Sequence, residues 1–177
     1  MTTSPAPAET STRAPWHDAG RRALPWAGLV VRLVVGGVWI AAGLLKLPDP
    51  AESVRAVRAY RLLPEFTVHA VGYGLPFLEI IVGLLLVVGL GTRIAAVISA
   101  VLFVLFIVGI TAAWARGLQI DCGCFGGGGY AADATSKYPW EIARDAGLLL
   151  GSVLLVIWPR TRLSLDGWLV PDARSEA

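Results

Sequence analysis

Cys122 and Cys124 are the only cysteines in the chain, and a single glycine separates them. A thiol pair this close can cycle between dithiol and disulfide, or it can hold a soft metal. Residues i and i+2 of a turn come within the Cα separation that a disulfide tolerates, and Gly123 lets the backbone bend around so small a ring. Such a ring is expected to be strained, and strained disulfides are the exchangeable ones. Four consecutive glycines, Gly126 to Gly129, follow the pair. They are expected to keep bulk away from the sulfurs, so that a partner thiol can approach. A redox pair is the preferred reading, against two incidental small residues in a loop. His17 and His69 lie far from the pair in sequence. A metal would therefore need ligands from a second chain or a distant carboxylate.

The next residue with a chemical claim is Glu79, a carboxylate inside an almost wholly apolar stretch. A charge there is expensive, so it must be neutral, paired or near water. Thiol oxidation releases protons, and Glu79 is a candidate proton acceptor for them. The structural reading is an ion pair with Arg32, Lys46 or Arg144, since such pairs also place acids in membranes. Lys46, Arg116 and Arg144 are the supporting residues. Lys46, Glu79, Cys122, Cys124 and Arg144 are expected toward one membrane face, with Arg32 deeper. Arg116 and Lys137 bracket the cysteines and would favour thiolate if they came near, while Asp121 acts in the opposite direction. Glu141 and Arg144 are three apart and can pair locally. Tyr60 could bond a cofactor, although an interfacial anchor is the commoner use. The glycine run is no phosphate loop, because no Gly-Lys-Ser/Thr follows it. Serine-protease, zinc-protease and dinucleotide patterns are absent from the sequence.

These residues need a scaffold, and composition says what kind. The chain of 177 residues is 55% hydrophobic and only 16% charged, where a soluble domain carries nearer a quarter charged residues. A net charge of +2 gives no case for nucleic acid. The fold class expected is all-α: an integral membrane four-helix bundle with a short amphipathic helix between spans 1 and 2. A disordered N-terminal tail over 1–22, opening on a Ser, Thr, Pro and Ala-rich stretch, precedes a membrane domain over 23–159, and a C-terminal tail covers 160–177. The spans are expected at about 24–45, 69–90, 94–114 and 139–158, each long enough to cross a bilayer. Asp49, Pro50 and Glu52 open the amphipathic helix as cap, first residue and near-capping box, and Pro64 ends it. Arg55, Arg58 and Arg61 give it a solvated basic face. Gly89 to Arg93 is expected as a tight hairpin, Pro139 as the first turn of the last span, and Trp16, Trp26, Trp114, Trp140, Trp158 and Trp168 as interfacial anchors.

Arginines and lysines divide almost evenly between the two sides of this arrangement. Arg21 and Arg22 before the first span lean toward cytoplasmic termini, with the cysteine loop extracytoplasmic, in a multi-pass protein of the plasma membrane. Disulfide chemistry persists more readily on that side.

Several stretches together resemble a known family. They are Arg32-Leu33 with Gly36, Ala42-Gly43-Leu44-Leu45-Lys46-Leu47, Val57-Arg58-Ala59-Tyr60-Arg61-Leu62-Leu63-Pro64 and Leu75-Pro76-Phe77-Leu78-Glu79. The most specific are Ala115-Arg116-Gly117 and Asp121-Cys122-Gly123-Cys124-Phe125-Gly126, with Trp140 and Arg144-Asp145 after them. From about Trp26 to Trp158 the chain resembles the methylamine utilisation protein MauE family, within the DoxX-like group of four-helix membrane proteins. That resemblance implies a redox-associated membrane protein. MauE-like proteins are linked to maturation of methylamine dehydrogenase, whose small subunit is rich in disulfides, alongside a thioredoxin-like partner. DoxX-like relatives include a subunit of a terminal quinol oxidase. The function expected is thiol–disulfide exchange between the Cys-Gly-Cys pair and an extracytoplasmic thioredoxin-like protein, which would make the chain a thiol–disulfide oxidoreductase. The alternative is a non-catalytic membrane scaffold or quinol-oxidase accessory subunit with structural or metal-binding cysteines. A quinone acceptor is compatible with either reading and has no motif of its own.

Overall fold

A computed structural model describes the backbone of residues 15–159 and the side chains of residues 25–159. The C-terminal tail, most of the expected N-terminal tail, and the side chains of Trp16, His17 and Trp168 lie outside the described residues. Among the described residues five helices run in the order α1 (Pro15–Lys46), α2 (Pro50–Ala59), α3 (Glu65–Val88), α4 (Thr92–Ala115) and α5 (Ala134–Ile157). Between α4 and α5, strands β1 (Ile120–Asp121) and β2 (Gly129–Tyr130) pair antiparallel, Ile120 opposite Tyr130 and Asp121 opposite Gly129. Among the described residues, three helical stretches are long and apolar enough to cross a membrane: Pro25–Lys46, Glu65–Val88 and Thr92–Ala115, with mean hydropathies of 2.1, 2.2 and 2.9. Helix α5 is as long as α3, but Glu141, Arg144 and Asp145 sit in its first half.

Local chemistry sets the ends of these elements. The Asp49 carboxylate accepts the Glu52 N–H at 3.2 Å, and Pro50 occupies the first helical position of α2. Gly89 closes α3 in the left-handed conformation (φ 77°), where its N–H bonds the Leu85 carbonyl, and Gly91 (φ 57°) opens α4. Only glycine takes that conformation freely, which is why the apolar run breaks into two helices here. Two boundaries differ from expectation. α1 begins at Pro15, well before the start expected near residue 24, and α5 begins at Ala134, so that Pro139 lies inside it. Polar residues continue a helix where nothing stops it, and apolar runs report only the buried part.

Helix α3 packs chiefly on α1, and α4 on α5, with fewer contacts between α3 and α4. Glycines set the first approach. A Cβ at Gly36 would lie 2.9 Å from the Gly83 carbonyl oxygen, and one at Gly83 would lie 2.7 Å from that of Gly36. Small residues that admit backbone contact are how helices associate in lipid, where no hydrophobic force joins them. Across the other side, buried Trp39 donates to Ser99 Oγ at 2.7 Å, and Ser99 and Ser152 share a bond of 2.8 Å, tying α1, α4 and α5. Trp26, Trp114, Trp140 and Trp158 are all exposed, as anchors at an interface would be.

Candidate functional site

The cysteines sit where the β1–β2 hairpin folds onto α2. Asp121 Oδ1 accepts the Gly123 N–H at 2.9 Å, starting the turn, and the Cys124 N–H reaches Cys122 Sγ at 3.3 Å. Tyr60, from the end of α2, donates its hydroxyl to the Cys122 carbonyl at 2.9 Å. On the other flank the Tyr138 hydroxyl accepts the Ile120 N–H at 3.2 Å and lies 2.7 Å from the Leu118 carbonyl oxygen. Gly123 has φ 67°, and a Cβ there would come within 2.7 Å of Ala56 Cβ. Gly128 would meet the Glu52 carbonyl oxygen at 2.6 Å. Gly123 and Gly128 therefore leave room for α2. They let the loop lie flat on α2.

Both thiols are free; Cys122 is half-buried and Cys124 is 6% exposed. They hydrogen-bond each other, and that bond together with burial pushes the Cys124 thiol well above the usual range. Burial likewise raises Tyr60, with the neighbouring thiols adding to it, so its hydroxyl stays a donor. The Glu141 carboxyl lies near the Cys122 thiol, and its buried Oε2 has no hydrogen-bond partner among the described residues. Sequence reasoning missed this proximity by pairing Glu141 with Arg144. Arg144 instead bonds Asp145 Oδ1 through Nε (2.9 Å) and Nη2 (2.8 Å), and its guanidinium lies 4.7 Å from the Phe125 ring centroid. Helical spacing held the missing signal: Tyr138, Glu141 and Asp145 fall at i, i+3 and i+7, on one face of α5.

Arg116 and Lys137 are not brought to the thiols. Exposed Arg116 caps α4 through the Ala112 carbonyl (3.0 Å) and clamps the Tyr60 carbonyl of α2. Lys137 pairs with Asp133 at 2.7 Å on the exposed first turn of α5. Arg55 and Arg58 form exposed pairs with Asp49 (2.8 Å) and Glu65 (2.5 Å), consistent with a solvated face.

Glu79 finds its base in Lys46. Lys46 Nζ donates to Glu79 Oε1 at 2.5 Å, with the two side chains 3% and 0% exposed, and the ammonium stands 5.8 Å from the Phe106 ring centroid. The other oxygen, Oε2, has no hydrogen-bond partner among the described residues. Arg32 is also buried in α1. A cavity of about 640 Å³ joins the two centres, since Lys46, Tyr60, Cys122 and Cys124 all line it. The structure thus brings Cys122, Cys124 and Lys46 to the lining of one cavity, with Glu79 paired to Lys46. Among the described residues no group of three or more His, Cys, Asp or Glu side chains could hold a metal ion.

Comparison with known proteins bears on what this arrangement serves. The family model described as methylamine utilisation protein MauE matches residues 24–159. The methylamine utilization protein MauE of Paracoccus denitrificans is 36% identical over 104 residues, which is 58% of this chain and 54% of that protein. The protein of the same name from Methylophilus methylotrophus is 37% identical over 101 residues, 56% of this chain and 53% of that one. The one from Methylorubrum extorquens is 33% identical over 135 residues, 75% of this chain and 64% of that one. The matches span between about half and two thirds of the relatives' own length. No solved structure matches the chain.

Proposed function

Because the chain belongs to the methylamine utilisation protein MauE family, we propose that it is an integral membrane protein presenting Cys122 and Cys124 for thiol–disulfide exchange with a thioredoxin-like protein. In this reading α5 is a fourth span over about 139–158, completing a four-helix bundle in the plasma membrane. The charged start of α5 is then sheltered by the cysteine loop and by the Arg144–Asp145 pair. The termini are cytoplasmic and the cysteine loop extracytoplasmic. The pathway is methylamine utilisation, as the relatives' names suggest, and the step is maturation of a disulfide-rich enzyme such as methylamine dehydrogenase.

The observation that carries this reading is the asymmetry of the pair. Cys122 is the more exposed thiol and has a carboxyl beside it, whereas Cys124 is buried behind it and bonded to it. Exchange runs through a mixed disulfide, which the second thiol of the pair resolves. Cys122 suits the bond to the partner and Cys124 suits the resolving step. Glu141 takes or returns the Cys122 proton.

The test is a non-reducing gel of membranes from each serine variant. Cys124→Ser is expected to accumulate a mixed disulfide through Cys122, and Cys122→Ser is expected to form none. A second reading, a non-catalytic scaffold or oxidase accessory subunit, draws on one observation: Cys124 packs with Ile110, Ala134 and Tyr138 in an apolar cluster. Two fully active, adduct-free serine variants would favour it.

A further inference from the structure

We propose that the cavity beside the thiols binds a lipid-soluble quinone, which accepts the electrons of the Cys122–Cys124 dithiol; this rests on the exchange reading above. Its position makes the first argument. The lining comes from Ala70 to Leu78 of α3 and Leu102 to Gly109 of α4, far from the turn at Gly89–Gly91 that joins the two helices. Because α3 leans on α1 and α4 on α5, the pair parts there. Helix α2 and the cysteine loop cover the gap. Several lining residues are also exposed on the outer face, among them Val71 (38%), Leu78 (38%) and Leu105 (59%). On two spans of a membrane protein that face meets lipid. A ligand enters sideways from the bilayer.

The lining chemistry makes the second argument. Nearly all of it is aliphatic or aromatic, and the few polar residues among it are Lys46, Ser53, Tyr60, Cys122 and Cys124. A volume of about 640 Å³ falls in the roughly 300–1,000 Å³ that suits a drug-sized molecule held by a few convergent polar groups. Lys46 has three N–H donors and spends one on Glu79. A flat, apolar ring with carbonyl acceptors matches this combination. An acyl chain would fill the space and leave the ammonium unmatched.

The chemistry balances without another reactant. Two S–H bonds break, one S–S bond forms, and the two electrons released reduce the quinone. Both protons end on its oxygens, giving one quinol. Lys46 polarises the nearer carbonyl, and Glu79 holds its ammonium in place from behind. The Cys-Gly-Cys pair then stands as the disulfide, so electrons flow from the protein partner to the membrane carrier.

The experiment uses full-length reduced protein in phospholipid nanodiscs without oxygen, with decyl-benzoquinone as probe. One quinol is expected per disulfide formed. A Cβ at Gly74 has no atom within 4 Å, so Gly74→Phe places a ring in the cavity without striking the backbone. It is expected to raise the KM for the quinone about tenfold or more while leaving exchange with a small aromatic disulfide unchanged. Leu105→Trp, at the exposed mouth, is expected to act in the same way. Wild-type protein that exchanges with the small disulfide yet fails to reduce the quinone overturns this inference and spares the exchange reading. Unchanged KM in both bulky variants does the same. Failure of both reactions removes the exchange reading and this inference with it. An azidobenzoquinone should label α3 and α4 even in the Cys122→Ser, Cys124→Ser variant; label displaced by added phospholipid but not by decyl-benzoquinone makes the cavity a lipid site and overturns the proposal.

Discussion

Three side chains decide the chemistry of single residues here. Cys124 has its thiol raised by the bond to Cys122 and by burial, so the folded protein holds that proton to higher pH than the unfolded chain does. The associated stability is fully present below the ordinary thiol range and is lost as pH rises through the folded value. Burial of Cys124 remains in a Cys122→Ser background, so its alkylation there is expected to stay slow at neutral pH; a pH–rate profile with a small uncharged alkylating reagent checks this, and the part of the shift owed to Cys122 should be missing from it. Glu141→Gln removes the carboxyl near Cys122 and is expected to slow exchange by about a hundredfold or more, the scale of a lost general base, without loss of folding. For Glu79→Gln the expectation is structural. The change leaves the buried Lys46 ammonium without its counter-charge, which costs about 3–5 kcal/mol, and a second change, Lys46→Met, should restore much of the thermal midpoint. If Glu79→Gln folds normally and only the pH dependence of exchange moves, Glu79 acts as a proton carrier and its pairing contributes little.

At the scale of elements, close approach of backbones does the organising. The α1–α3 contact depends on Gly36 and Gly83. Gly83→Leu forces the helices apart and is expected to destabilise by about 1–3 kcal/mol, read as a lower thermal midpoint in detergent. The loop on α2 behaves alike. Gly123→Ala meets both a positive φ and the Ala56 methyl at 2.7 Å, so it should lower stability and expose Cys122 to alkylation. Ala56→Gly relieves the collision but not the backbone strain, so the double variant should recover only part of the loss. Full recovery would assign the whole effect to the collision.

For the whole molecule the open variable is sidedness. The charges divide too evenly to set it through the positive-inside rule. Single cysteines at Ser4 and Ser136, in a Cys122→Ser, Cys124→Ser background, are expected to label oppositely with an impermeant maleimide, Ser136 in intact cells and Ser4 only after lysis. The reverse pattern would put the cysteine loop in the reducing compartment and count against oxidative chemistry.

Much of this protein was legible in the linear chain because its causes are local. Three apolar runs became three membrane-length helices, since length and hydropathy are sums over neighbouring residues. The Asp49-Pro50 start and the glycine hairpin at Gly89 and Gly91 followed from caps and left-handed backbone, which also act within a few positions. The Cys-Gly-Cys motif was legible for the same reason. Tertiary structure decided everything that depends on which distant groups meet. It chose Lys46 among three bases for Glu79, gave Arg144 to Asp145, set Glu141 against Cys122, and kept Arg116 and Lys137 away from the thiols. It also set Gly123 and Gly128 against α2, and it left a cavity where α3 and α4 make few contacts. A buried charge requires a partner but does not specify one. The partner is fixed by how helices pack, and packing is a property of surfaces that no single segment contains.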